Sequence, residues 1–153
     1  MTTWQCLPFN ELTTHQLYDL LKLRSEIFCV EQNCVYLDLD DHDRAPNVFH
    51  LLGYVNNELV AYLRLLAPGV TYDNVSIGRV VVTPNQRKHS LGHQLLRQGL
   101  AHAETIWPQQ LIEIGAQQYL VAFYQSHGFT QTSEMYLEDG IPHIDMQLLQ
   151  DLK

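Results

Sequence analysis

The sequence predicts an α/β (α+β) domain: a mixed, mostly antiparallel sheet of about six to seven strands with helices on both faces. Three observations carry that expectation. The continuous β-branched run Val80-Val81-Val82 passes through the polar turn Thr83-Pro84-Asn85 into a helix, where Leu91, Leu95, Leu96, Leu100, Ala103 and Trp107 recur at helical spacing. Two apolar runs, residues 48–56 and 59–66, meet at Asn56-Asn57, residues that tolerate left-handed backbone, and so read as an antiparallel hairpin. Residues 129–137 and 144–149 read as a closing antiparallel pair around Glu138-Asp139-Gly140-Ile141-Pro142-His143. The whole order is β-α-β-β-β-α-β-α-β-β, with no repeat, low-complexity tract or linker, so residues 1–153 form one domain.

The remaining elements follow in chain order. Residues 2–9 alternate enough for a short strand that Pro8 confines to an end or edge. Thr13-Thr14-His15-Gln16 offers a capping box, and Leu17, Leu20, Leu21, Arg24, Ile27 and Phe28 then share a helical face over residues 14–29. Arg24 on that face reads first as a rim residue with its stem along apolar surface, and second as a charge aimed into a cleft. Residues 30–46 carry Asp38, Asp40, Asp41 and Asp43 with His42 among them. A calcium loop fails there, because Asp43 stands where the turn glycine is needed and Phe49 where the last Glu is needed. A solvated loop is the plain expectation, and a lip selecting a cationic substrate is the functional one. His50 and Arg64 lie within strands and read as hydrogen-bonded structural residues. Trp107-Pro108 ends the second helix, residues 111–115 form a strand, and an amphipathic helix over residues 119–127 ends at Gly128.

Composition narrows the class of function. The chain of 153 residues is 46% hydrophobic and 17% charged, with a net charge of −8. That balance suits an ordinary globular domain and argues against general binding to nucleic acid or anionic membrane, which demand a positive face. Three cysteines, Cys6, Cys29 and Cys34, cannot all pair and show no Cys-x-x-Cys spacing, so reduced thiols and a cytoplasmic address are expected. The start carries Trp4, Pro8 and Glu11 without a basic, apolar signal pattern, and no apolar run approaches the ~18–20 residues needed to cross a bilayer.

The strand-turn-helix unit over residues 75–103 carries the chemistry. A helix N-terminus presents unpaired amides and the positive end of its dipole, which together attract anions. Arg87 and Lys88 add two cations beside them, so a phosphate-bearing ligand is one reading and a plain turn with solvated cations is the other.

Four stretches decide between these: Leu23-Arg24-Ser25-Glu26-Ile27-Phe28-Cys29-Val30-Glu31-Gln32, Ile77-Gly78-Arg79-Val80-Val81-Val82, Gly115-Ala116-Gln117, and Asp139-Gly140-Ile141-Pro142-His143. With the Phe-Tyr-Gln-Ser-His-Gly-Phe helix end, they resemble the GNAT acetyltransferase superfamily, most closely its ElaA-type branch, over nearly the whole chain. The resemblance implies that acetyl-CoA is the cosubstrate, that no metal takes part, and that an amine is acetylated. It implies a splayed gap between the strand at Val80-Val81-Val82 and that at residues 111–115, with Val80, Val81 and Val82 pairing the pantetheine arm. The family's Gln/Arg-x-x-Gly-x-Gly/Ala turn maps onto Arg87, Lys88, Ser90, Leu91, Gly92 and His93 as the pyrophosphate cradle. Ser90 stands where a glycine is usual and is expected to cap the helix.

Tyr124 matches the family's general acid, a phenol that stays protonated at neutral pH. Gln117 stands where the family often has asparagine and is expected to bond the cofactor or bridge helix to strand. A backbone N–H near Val81 or Val82 is the candidate oxyanion donor. Glu31, Asp43, His50, Glu113 or a water chain is left to take the amine's proton. The alternatives are an acyl-CoA-binding or partner-binding module without turnover, a phosphate-ligand module, and an acyl-homoserine-lactone-like acyltransferase. The acceptor is a small-molecule or peptide amine, and the chain is a monomer or homodimer.

Overall fold

The hairpin at Asn56-Asn57 frames the sheet. Both residues take positive φ, 51° and 63°, the reversal whose twist matches paired strands. It joins β2 (Val48–Val55) to β3 (Glu58–Leu66) with Leu51 opposite Leu63. The computed structural model describes residues 1–150 except the side chains of Lys88 and His89; those two side chains and residues 151–153 lie outside the description. In it, β1 (Thr3–Pro8) is an edge strand on β2 and ends at Pro8, where a missing donor matters least. β4 (Val75–Val82) pairs β3 antiparallel, β5 (Leu111–Gln117) runs parallel to β4, and β8 (Ile141–Leu149) runs antiparallel to β5.

The closing pair differs from the sequence expectation. Residues 129–137 give two strands, β6 (Thr130–Gln131) and β7 (Tyr136–Glu138), both on β8, which brings the sheet to eight. Between them the chain leaves the ladder because Ser133 Oγ accepts the Asp145 N–H at 2.9 Å. The turn into β8 is only Asp139-Gly140, both at positive φ (51° and 78°), so Ile141 to His143 belong to the strand.

Helices cover both faces. The capping box forms as expected: Thr13 Oγ1 accepts the Gln16 N–H and the Gln16 side chain accepts the Thr13 N–H, each at 3.0 Å. It opens α1 (Thr14–Arg24), which widens into a π-helical run, Ser25–Glu31. There Gln32 N–H reaches Ile27 O and Cys34 N–H reaches Cys29 O, five residues back. With β2, β3 and β4, this segment encloses an apolar cluster that includes Leu20, Leu23, Ile27, Phe28, Leu52, Tyr62 and Val81. On the opposite face, α2 (Leu91–Ile106) and α3 (Val121–Gln125) cover Leu51, Leu63, Leu65, Ile77, Val82, Ile112, Ile114 and Met146. Val81 and Val82 thus point into opposite cores, as a strand covered on both faces requires. At Gly99 α2 packs tightly on the sheet: a Cβ there would stand 2.8 Å from Leu63.

Candidate active site

The sheet opens at its centre. β4 and β5 pair only at Val75 with Ile112 and Ser76 with Glu113, although both strands run on for several residues. Beyond that point one backbone edge of β4 faces a cleft of about 1260 Å³ instead of a neighbouring strand. Two features keep β4 from re-pairing. A bulge interrupts its register with β3 between Tyr62 and Arg64, and Arg79 within it takes φ 52°, which is costly for any residue but glycine. The Arg79 side chain also ties this bulge to the segment following the π-helical run. Its Nη2 donates to Asp38 O at 2.8 Å, while its Nε lies 2.8 Å from Asp38 Oδ1 but is misaligned for a hydrogen bond.

That contact belongs to a charged cluster that corrects two sequence expectations. The acidic segment is not a solvated loop, and Arg24 is not a rim residue. Arg24 is fully buried; it donates from Nε to Asp38 Oδ2 at 2.9 Å and from Nη1 to Asp43 Oδ1 at 2.8 Å. Arg64 donates from Nη1 to Asp43 Oδ1 (3.0 Å) and Asp40 Oδ1 (2.8 Å). Three aspartates thus meet Arg24, Arg64 and Arg79, and these multiple hydrogen bonds offset the cost of removing the charges from water. Burial works against the Asp40 charge, but its bonds to Arg64 and the nearby Arg79 outweigh that and bring its pKa to about 2. His50 is structural, as expected, with Nδ1 2.6 Å from Tyr62 Oη and Nε2 2.9 Å from Asp43 O. A carbonyl only accepts, so Nε2 carries the hydrogen and Nδ1 accepts from the phenol. Burial pushes the His50 pKa down, which keeps the ring neutral.

Val80, Val81, Val82, Arg87, Gly92, Gln117 and Tyr124 all line the cleft. Ser90, Leu91 and His93 do not line it: the Leu91 side chain is buried in the core, leaving its backbone as the part available to a ligand. His93 Nδ1 lies 2.8 Å from His127 Nε2. Ser90 does not cap α2 through its side chain. It takes φ 59°, ψ 19°, whereas a capping hydroxyl needs extended backbone to reach the amides beyond it. Glycine adopts that conformation without strain. Arg87 is engaged by Glu31, with Nη1 and Nη2 donating to its two oxygens at 2.8 and 2.6 Å, and its Nε donates to Val82 O. Gln117 bridges: its amide exchanges hydrogen bonds with that of Gln32 at 3.2 and 3.3 Å.

Tyr124 stands on the α3 side of the cleft, 5% exposed, and its hydroxyl has no hydrogen-bond partner among the described residues. Burial pushes its pKa well above the ordinary phenol value. Of the four carboxylate and imidazole bases considered, only Glu31 lines the cleft, and Arg87 holds its carboxyl below the usual range. Asp43 and His50 are consumed in the buried cluster, and Glu113 accepts from Asn74 Nδ2 at 3.2 Å.

The fold, with its sheet splayed at one parallel pair and a helix N-terminus at the mouth, is one shared with an acyl-CoA N-acyltransferase. Residues 29–150 match the family model described as an acetyltransferase (GNAT) domain, and the chain belongs to that family. It is 46% identical to Protein ElaA of Escherichia coli (strain K12) over 146 residues, 95% of each chain. The crystal structure of Escherichia coli ElaA superposes with a TM-score of 0.90 at 45% identity, over 96% of this chain and 99% of that one. That of an acyl-CoA N-acyltransferase from Pseudomonas aeruginosa gives 0.91 at 42% identity, over 96% and 99%. Among the described residues no helix is long and apolar enough to cross a membrane.

Proposed function

We propose that this protein transfers an acetyl group from acetyl-CoA to a primary amine by direct attack, with both substrates bound at once. The observation that carries this reading is the splay of β4 from β5 after two residue pairs. It leaves an unpaired strand edge at Val80, Val81 and Val82 on which an extended, amide-bearing arm pairs as an added strand would. At the mouth of the gap, the amides of Ser90, Leu91, Gly92 and His93 and the Arg87 cation form the cradle for a pyrophosphate; the Lys88 side chain expected beside them lies outside the described residues. The Glu31–Arg87 pair is partly exposed and worth about 0–1 kcal/mol, so an incoming phosphate can replace the carboxylate. Acetyl-CoA, when bound, supplies the activated thioester. The backbone N–H of Val81 or Val82 stabilises charge developing on the carbonyl oxygen. The Tyr124 hydroxyl donates a proton to the departing sulfur, a task for which a phenol kept protonated by burial is suited. The acceptor is a small-molecule or peptide amine. With a net charge of −8 the chain acts without nucleic-acid or membrane partners, as a cytoplasmic monomer or homodimer.

Calorimetric titration with acetyl-CoA, followed by thiol release with a panel of polyamines, amino-acid amides and aminoglycosides, tests this reading. Micromolar binding insensitive to ATP, lost in Gly92→Glu, and thiol release with at least one amine are expected. The Gly92→Glu loss is expected because a carboxylate there would sit at the anion site and against Phe123, which already lies 3.6 Å from a Cβ at that position. Binding without transfer to any amine would replace the proposal with a non-catalytic acyl-CoA module. Displacement by ATP would point to a general phosphate-ligand site.

A further inference from the structure

The proposed reaction leaves one proton unassigned, because an amine that is mostly an ammonium at neutral pH must lose one before it attacks. We propose that Tyr72, backed by Asp145, takes that proton. The inference rests on the acetyltransferase reading and extends it to the acceptor side.

Tyr72, from the segment between β3 and β4, lines the cleft. Its hydroxyl donates to Asp145 Oδ1 at 3.1 Å, and Tyr136 on β7 donates to the same oxygen at 2.6 Å. Asp145 on β8 pairs with Gly115 on β5. A Cβ on Gly115 would stand 2.9 Å from both phenol oxygens, so the missing side chain is what lets the two hydroxyls pack over the strand there, Tyr72 at the cleft. Gly78 on β4 also lines the cleft, and a Cβ there would have its nearest neighbours 4.0 Å away. Two glycines thus line the cleft that Val80 and Val81 also line, with a carboxylate-backed hydroxyl packed over one of them.

The step balances without another reactant. The ammonium N–H bond breaks as its proton passes to Tyr72 Oη, and the Tyr72 O–H bond breaks as that proton passes to Asp145 Oδ1. A neutral amine and a carboxylic acid result, and the acid returns its proton to solvent. Burial, then the Asp145 charge, pushes the Tyr72 pKa up to about 12, so Tyr72 relays the proton and does not stand as a phenolate. Tyr136 holds the carboxylate in place. The other charged or titratable groups facing this cluster are Glu138 on β7, His143 stacked on Tyr136 from β8, and Glu113, two residues along β5. Tyr72 touches the substrate and is catalytic; Asp145 acts through it and is a positioning residue.

The test uses Asp145→Asn and Tyr72→Phe with the fastest amine of the panel. At about pH 7 each variant is expected to lose roughly 100-fold or more in kcat/KM, the usual scale of general base catalysis. The loss is expected to shrink towards about pH 9.5, where far more of an amine with a pKa near 10.4 is already neutral. Coenzyme A affinity is expected to stay within about twofold of wild type, which separates the relay from misfolding. Ultraviolet titration of the free protein supplies a readout independent of turnover: in Asp145→Asn the Tyr72 and Tyr136 phenols are expected to ionise at lower pH than in wild type. A wild type inert toward every amine overturns the acetyltransferase reading and this inference with it. An active wild type that Asp145→Asn matches across the pH range, or unchanged phenol titration, overturns the relay alone.

Discussion

Single residues show which positions around the cleft could be read in advance. Tyr124 was legible because its spacing to Gly128 matches a known motif, and the structure sets it on the cleft wall, buried, with its hydroxyl unengaged among the described residues. Tyr124→Phe removes one oxygen and keeps the ring that packs edge-on against Phe123 and Phe129. Stability and acetyl-CoA affinity should therefore hold, while turnover with the best amine falls by about 100-fold or more if the hydroxyl protonates the leaving sulfur. A single-turnover assay at saturating acetyl-CoA reads this directly, and full turnover in the variant would end the general-acid assignment. His50 was legible for a different reason: a lone histidine in an apolar strand needs two partners, and it has them. Asp38, Asp40 and Asp43 were not, because their partners Arg24, Arg64 and Arg79 come from three distant elements. Nothing local in an acidic stretch distinguishes solvated aspartates from paired ones. Tyr72, Tyr136 and Asp145 were missed for the same reason, since only the fold brings them to Gly115.

At the scale of elements, the hairpin and the helix after the central strand followed their patterns. The closing pair split in two, the helix expected over residues 119–127 shortened to Val121–Gln125, and two further departures lie at the cleft. The first helix starts at its capping box and then widens into a π-helical run over Ser25–Glu31, which sets Glu31 and Gln32 against Arg87 and Gln117. A 3.6-residue period does not report where such a widening begins. The turn into α2 departs as well, with Ser90 held left-handed where glycine is at ease. These two elements meet in the Glu31–Arg87 pair, which competes with phosphate for one guanidinium. Glu31→Gln should therefore tighten acetyl-CoA binding by up to about fivefold, the most that a partly exposed pair returns when its carboxylate is neutralised. Arg87→Met should weaken binding. Calorimetry on the two variants decides the matter, and weaker binding in Glu31→Gln would mean that the carboxylate orders the turn instead of competing for it.

Across the whole molecule, the two faces of the sheet respond differently to acid. The face under α2 and α3 is an apolar core with the His93–His127 pair beside it, whereas the face under α1 rests partly on the paired aspartates and neutral His50. Asp40 has a folded pKa of about 2, and Asp43 is also lowered: burial opposes its charge, but Arg24 and Arg64 outweigh it. A carboxylate that binds protons less readily when folded contributes stability above its unfolded pKa near 4, and that contribution is lost as pH falls from about 4 to about 2. His50 is lowered by burial, and His127 by burial and then by the neighbouring His93 and Arg97. For an imidazole depressed on folding, the unfolded chain takes up the proton first, so stability is complete above about 6.5 and declines below it. Urea midpoints measured from about pH 8 downward should therefore fall in two steps, one beginning near 6.5 and one below about 4. The double variant His50→Gln, His127→Gln should abolish the upper step and leave the lower one, since an uncharged amide has no proton to gain. If the upper step survived in that variant, the neutral imidazoles would not be its source, and the folded state would have to owe its mildly acidic sensitivity to groups outside these two sites.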